Sequence, residues 1–433
     1  MKTERFAVIG SGAAGLAAAW RLHQAGHVTM YEREGRLGGH AWTICVDDGP
    51  DAGLQLDIAF MIMNDQRYPT MSAILATLPS VELAESDMSF SYTCRQSGHC
   101  YAINRPRTSA GRAAPARVSH VRLISQALHF SRIAQHDLTT DHIDALTLGE
   151  YLAQRGVDRL VRDTYLIPMA AALWSAPPEK MLDFPAKRYL RFLDQHGLLA
   201  FDEPFTWQHV VGGSQRYVHA LIERMAGIEV RTRAPARRVA PSNGAVGVYA
   251  ADGSIAYYDG VVIATHADDA SALLDDRHAH EKALLDAIGF QSNEAIVHWD
   301  KTVMPPDEGC WAAWNYEREP CGEPSGEPSG APFEQDDRGS ITYYLNALQG
   351  HADAERGYFV TLNRASGIDP DKVLLRTQFR HPVFDFAAVR AQQALRELPR
   401  TSRIRFAGGY LGYGFHEDAM ASGIEAAQSL LGL

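Results

Sequence analysis

With 433 residues, 46% of them hydrophobic and 21% charged, the chain has the composition of a folded protein large enough for two domains. A net charge of −11 gives no overall attraction for nucleic acid, and none is expected as a partner. The five cysteines, Cys45, Cys94, Cys100, Cys310 and Cys321, show no metal-type spacing, so no metal is expected; their odd number suits thiols kept reduced in a cytoplasmic setting.

The N-terminal stretch "RFAVIGSGAAGLAAAWRLHQAGHVTMYERE" reads as strand, tight turn, helix, strand. Phe6 to Ile9 is an apolar run suited to a buried parallel strand. Gly10, Ser11, Gly12, Ala13, Ala14 and Gly15 then fit the GxGxxG fingerprint. Gly10 makes the turn, Gly12 admits a pyrophosphate, and Gly15 lets the helix pack on the strand. Leu16 to Leu22 is predicted helical, and Gly26 ends it. Val28 to Tyr31 is the second strand, with Glu32 at its carboxyl end, close to the spacing of an acid that holds ribose hydroxyls. Next comes "REGRLGGHAWT", containing Arg33, Arg36, Gly38, Gly39 and His40. A second bare-backbone approach beside the ribose acid suits a dinucleotide longer than NAD, one whose far half turns back over the sheet.

From about 71 to 205 the chain is predicted to be mostly helical. Within it, Asn104 to His136 holds six arginines and no acidic residue. Two apolar sets there follow helical spacing: Val121, Ile124 and Leu128, and Leu123, Ala127, Phe130 and Ala134. Such a helix either packs on the body of the protein or touches a lipid surface, giving a peripheral membrane contact through 105–134. Gly212-Gly213 precedes another predicted helix. Strands follow, with Asp252-Gly253 as a hairpin turn and Val261 to Ala264 as a buried strand ending in Thr265-His266. Residues 319–330, "EPCGEPSGEPSG", read as a Pro/Gly-rich loop.

The C-terminal "RFAGGYLGYGFHEDAMASGIEAAQSLLGL" closes the chain. Here Gly408 and Gly409 allow a close approach, and Asp418 is placed to cap a helix expected from Ala419. His416 titrates near neutral pH when unperturbed and is the candidate for handling a proton. Tyr413 and Tyr410, together with Trp311, Trp314 and Tyr316, are candidates to line an aromatic site.

Together, Arg36-Leu-Gly-Gly-His40 resembles the RxGGR segment, and Ala407-Gly408-Gly409 with its following helix resembles the closing element, of the FAD-dependent amine oxidase and phytoene desaturase superfamily. The resemblance implies a Rossmann-like α/β FAD-binding domain built from 1–70, 206–267 and 395–433. A mixed α+β substrate domain, 71–205 and 268–394, is inserted between those pieces. It implies that FAD is held by Gly10, Ser11, Gly12, Ala14, Gly15, Glu32, Arg33, Arg36, Gly38, Gly39, His40, Ala236, Gly408, Gly409, Phe415, Asp418, Ala419 and Met420, with His416 and Tyr413 as the catalytic candidates. Blocks such as "AAALWSAPP", "FPAKRYLRFLDQHGLL", "HPVFD" and "GYGFHED" are similar to one branch, FAD-binding oxidoreductases associated with cyclopropane-fatty-acid synthases. That branch implies redox work on an apolar or lipid substrate, and a lipid methyltransferase as a partner. Double-bond isomerisation, amine oxidation and a non-catalytic accessory role remain as alternatives. The chain departs from the branch at 57–70, where "DIAFMIMNDQRYPT" stands for "DTGFxVFNxxxYPN", and from amine oxidases in having Asn293 or Glu294 where they commonly place a lysine.

Overall fold

The computed structural model describes residues 4–103, 118–140, 142–199, 205–319, 338–364, 366–399 and 401–433. Most of the repeat at 319–330, and the first part of the arginine-rich segment, lie outside the described residues.

The fold is mixed α/β around two large sheets. The first has five strands in the order Ile404–Phe406, Gly260–Ile263, Arg5–Ile9, His27–Tyr31 and Glu229–Arg231, and every neighbouring pair is parallel. Three distant stretches of chain therefore build one sheet. Because all five strands run the same way, their carboxyl ends share one edge. That edge collects the turn at Gly10, the acid Glu32, the Thr265-His266 pair and the Gly408-Gly409 turn, the place where open α/β sheets bind ligands.

Alternation along the strands divides the core into two faces. Phe6, Val8, Val28, Met30 and Val262 pack against the helices Ala13–His23, Gln215–Arg224 and His416–Leu430. Ala7, Ile9, Tyr31, Val261 and Ile263 face a three-stranded sheet and the helices Ala267–Leu273, Ala279–Asp286 and Phe386–Arg396. The hairpin expected at Asp252-Gly253 joins strands Ala245–Ala250 and Ile255–Tyr258. Two close approaches fix the first helix. A Cβ on Gly15 would lie 1.9 Å from the Gly10 carbonyl oxygen, and one on Gly423 would lie 2.1 Å from that of Ala14. The last helix thus rests backbone-to-backbone on the first.

The second sheet has seven strands: Val373–Pro382, Phe290–His298, Phe359–Leu362, Arg338–Tyr344, Trp314–Glu319, Phe90–Cys94 and His99–Ile103. All its pairs are antiparallel except Trp314–Glu319 with Phe90–Cys94. The described part of 71–205 is mostly helical, as expected, but Phe90–Cys94 and His99–Ile103 form a hairpin at this sheet's edge. Its sequence signal was a Ser97-Gly98 turn between Tyr- and Phe-bearing runs. Helices Ile167–Trp174 and Ala186–Gln195 share the large apolar cluster of this half, with Tyr189, Leu190, Phe192 and Trp174 buried.

Candidate active site

At the carboxyl edge, Glu32 organises the first loop. One of its oxygens accepts the Ser11 N–H at 3.0 Å and the Ser11 hydroxyl at 2.5 Å, and the other accepts the Glu34 N–H at 2.8 Å. The Gly38 N–H donates to the Ser11 carbonyl at 3.0 Å, which lays the second glycine pair over the first loop. Gly38 and Gly39 have φ of 104° and 57°, conformations that favour glycine. Arg36 pins this segment from above: it donates to the Gly39 carbonyl at 2.7 Å and its guanidinium lies 3.9 Å from the Trp42 ring centre. Burial pulls the Arg36 pKa down. Arg33 projects outward and pairs with Asp269 at 3.4 Å. Ala236 begins the strand Ala236–Ser242, paired with Ala250.

No side chain caps the first helix, and the space in front of Gly12 is clear to 4 Å. An uncapped helix start behind a bare glycine is a seat for a phosphate group. Glu32 stands beside it at the end of the second strand. These features of Gly10 to Gly15, Glu32 and Gly38-Gly39 fit a dinucleotide.

The Gly408 N–H donates to the Ser422 hydroxyl at 2.9 Å, tying the closing turn to the last helix. That helix is His416–Leu430 with Phe415 as its N-cap, so it starts three residues before the expected Ala419. Asp418 is accordingly not the N-cap residue: it sits at the third helical position and accepts the Phe415 N–H at 2.9 Å. Burial raises its pKa. Each member of the His-Glu-Asp triplet has a different task. The Glu417 carboxylate accepts the N–H groups of Thr70 and Met71 at 2.8 and 3.0 Å, capping the helix Pro69–Leu75. His416 stacks on Phe60 with ring centres 3.8 Å apart, and its Nε2 lies 2.6 Å from the Tyr217 hydroxyl. Met420 is fully buried, and Ala419 packs partly buried against the same cluster.

Sequence reasoning missed a group of imidazoles here. His40 lies 5.7 Å from His381 and 6.3 Å from His266, ring centre to ring centre. The neighbouring Asn293 amide is 2.6 Å from His381 Nδ1, and its oxygen accepts from Asn363 at 2.7 Å. Burial holds the pKa of His40 near 4 and those of His266, His381 and His416 near 3, so all four are uncharged at neutral pH. His40 Nε2 and His266 Nδ1 are shielded from solvent and have no hydrogen-bond partner among protein atoms. His40 stands where the RxGGR pattern has its second arginine, which was the one legible clue.

Beside the start of the last helix lies an aromatic cluster. Phe415 stacks on Phe192 at 4.9 Å and meets Trp174 edge-on at 6.1 Å. Tyr413 meets Phe192 at 5.6 Å, and its carbonyl accepts the Trp174 indole N–H at 2.9 Å. His196 stacks on Phe192 at 3.9 Å and is held uncharged by burial, with a pKa of about 4. Arg188 bolts the closing loop to this cluster through Gln392 and the Gly412 carbonyl, with the Tyr413 ring 4.7 Å away. The other aromatic candidates lie elsewhere: Trp311 packs edge-on to Tyr344 and Phe359, Trp314 to Tyr343, and Tyr316 stacks on Tyr92. Tyr410 is buried beneath the closing turn, 6.4 Å from Phe290.

The described lysines are occupied or exposed away from these rings. Lys187 pairs with Asp144, Lys372 with Asp300, Lys282 donates to the Ser271 and Leu274 carbonyls at the end of the preceding helix, and Lys180 and Lys301 are exposed. One grouping of metal-ligand type that the sequence hid is Cys100, Asp307 and Cys310, whose ligand atoms gather within 4.8 Å of one another. Among the described residues no helix is long and apolar enough to cross a membrane.

Residues 13–431 match the family of flavin-containing amine oxidoreductases, and the chain belongs to that family. It is an FAD-dependent oxidoreductase, and its first glycine loop fits a dinucleotide. Among solved structures it is similar to putrescine oxidase bound to putrescine (16% identity, TM-score 0.68, 99% of each chain covered). It is also similar to a CLA-producing fatty acid isomerase from P. acnes (16% identity, TM-score 0.67, 98% of this chain and 97% of that one). A third is cyclohexylamine oxidase from Brevibacterium oxydans IH-35A (14% identity, TM-score 0.66, 99% of each). At these identities the likeness establishes the fold. No curated protein sequence matches the chain.

Proposed function

We propose that the protein dehydrogenates an apolar, fatty-acyl or similar lipid-like substrate, introducing a double bond. In this reading the segments 1–70, 206–267 and 395–433 form a discontinuous FAD-binding domain, and 71–205 with 268–394 form the substrate domain. The observation that carries it is the chemistry around the start of the last helix. Phe415, Phe192, Trp174 and Tyr413 present apolar rings there, and the nearby imidazoles are uncharged. Asn293, fixed by Asn363 and His381, or its neighbour Glu294 stands where an amine oxidase commonly has a lysine. An apolar chain is desolvated at little cost in such surroundings, whereas an ammonium group would meet no carboxylate among these rings and imidazoles.

Bound FAD supplies the hydride acceptor. The chain's own residues do the rest. Gly10 to Gly15, Glu32 and Arg36 to His40, with Gly408, Gly409 and Phe415, would hold the cofactor. The positive end of the last helix, at His416, favours negative charge gathering beside it. His416, oriented by Tyr217, is a neutral imidazole at neutral pH and is the acceptor assigned to the substrate's proton, a weak one because burial holds its pKa near 3. Tyr413 and Phe415 exclude water and orient the chain to be oxidised.

Product analysis tests this. Incubation with saturated and monounsaturated acyl chains and a stoichiometric electron acceptor should yield products lighter by two hydrogens. A product of unchanged mass formed without an acceptor would replace this reading with double-bond isomerisation. Peroxide and aldehyde from amines, with acyl chains inert, would replace it with amine oxidation. Flavin that no acyl chain or amine reduces, in a stable complex with a lipid methyltransferase, would point to the accessory role.

A further inference from the structure

The helix Val118–Asp137 carries two apolar stripes, and the structure buries only one of them. Leu123, Ala127, Phe130 and Ala134 are buried. Leu123, Phe130 and Ala134 belong to the same apolar cluster as Phe192, Phe184 and Trp174. Val121, Ile124 and Leu128, spaced three and four residues apart on the opposite side, are 61%, 58% and 37% exposed. Among the described residues, the other large exposed hydrophobics are Ile255, Tyr257 and Leu433, scattered elsewhere in the chain. Half of the exposed apolar bulk therefore lies on one helix face, and Arg132 continues the stripe one turn beyond Leu128.

We infer that this face docks on an anionic lipid bilayer, lying in the headgroup region without crossing it. Charge complementarity selects the occupant. From Val121 to His136 the helix has Arg122, Arg132, two histidines and no acidic residue, in a chain whose net charge is −11. By sequence, residues 104–117 just before it add four arginines and again no acid. Arg122 is 64% exposed and pairs with Asp158, while Arg132 is exposed on the stripe itself. Aliphatic residues interleaved with arginine and serine, without tryptophan, tyrosine or methionine, suit a bilayer interface better than the core of a protein interface. Asp137, the first acid along the helix, is buried and held by Arg155 and Tyr151, so it does not oppose an anionic surface. The inference goes beyond the proposed chemistry and does not depend on it. Its consequence is spatial: the helix packs on Ala186–Gln195, the helix that places Phe192 against Phe415.

Co-sedimentation of the full, FAD-loaded chain with vesicles tests it. Vesicles of phosphatidylcholine mixed with phosphatidylglycerol should carry the protein down, and pure phosphatidylcholine should carry much less, since each arginine near an anionic surface contributes roughly fivefold. Raising the salt should weaken binding. Val121→Ser/Ile124→Ser/Leu128→Ser should lower partitioning by about 10- to 100-fold, while FAD content and melting temperature stay as in the parent. Ile124→Ser alone, at a well-exposed position, should give a smaller loss in the same direction. A protein that ignores the anionic vesicles, or a fully folded triple variant that sediments as well as the parent, overturns the inference. So does a face that captures only a protein partner.

Discussion

Replacing Gly12 with valine separates cofactor binding from folding. Its φ of −67° and ψ of −178° are extended backbone that any L-residue adopts, and a Cβ there meets nothing within 4 Å. The apoprotein should therefore lose little, from a few tenths to about 1 kcal/mol for an aliphatic residue at a helix N-cap. In a chain of this size that lowers the melting temperature by no more than about 1 °C. The valine methyls nevertheless fill the space in front of the uncapped first helix. Losing two charge-assisted hydrogen bonds to a phosphate, at about 1.5–3 kcal/mol each, weakens FAD by roughly 3–6 kcal/mol, on the order of 10²- to 10⁴-fold. The assay is FAD retained after desalting, read from flavin absorbance, beside thermal melts of cofactor-free protein. Gly15→Val is the contrast. Its Cβ would lie 1.9 Å from the Gly10 carbonyl oxygen, so the apo fold itself should fail. A Gly12→Val protein that keeps its FAD like the parent would refute the reasoning, and so would one whose apo fold collapses as Gly15→Val does.

Glu417→Ala should destabilise the protein by about 0.5–2 kcal/mol, because it uncaps the helix Pro69–Leu75. Faster amide exchange over residues 69–75 should accompany the shifted denaturation midpoint, and an unchanged midpoint would remove Glu417 from that role. Acid should act through the buried imidazoles. His40, His196, His266, His298, His381 and His416 are held near 3 or 4, against 6.5 when free. Depressed pKa values mean that the unfolded chain binds protons first. Their stabilisation is complete above about pH 6.5 and is lost as pH falls towards 4, at up to about 1.4 kcal/mol per pH unit for each. Thermal melts should drop steeply through that window, and a flat profile would contradict the neutral, buried cluster.

Local signals made the nucleotide half legible. Strand, glycine turn, helix, strand and acid follow one another within thirty residues, and the structure joins them through bonds from Ser11 to Glu32 and from Gly38 to Ser11. The imidazole cluster resisted because its contacts are distant in sequence. His40, His266 and His381 come from a loop, a strand end and the edge of another sheet, and no periodicity links them. The His-Glu-Asp triplet misled for the same reason. Asp418 is a preferred capping type and was placed one role too early, whereas Glu417 caps a helix 346 residues back in the chain. The hairpin Phe90–Ile103 was obscured by the helical character of its surroundings, although its turn was readable. The arginine-rich helix showed both apolar stripes in its sequence, but only the fold could decide which one faces inward.

Anaerobic mixing of FAD-loaded protein with purified acyl chains and, separately, with primary amines tests the central claim most directly. The account predicts that an acyl chain bleaches the flavin absorbance in a single turnover while amines leave it yellow. Bleaching by amines alone would contradict it.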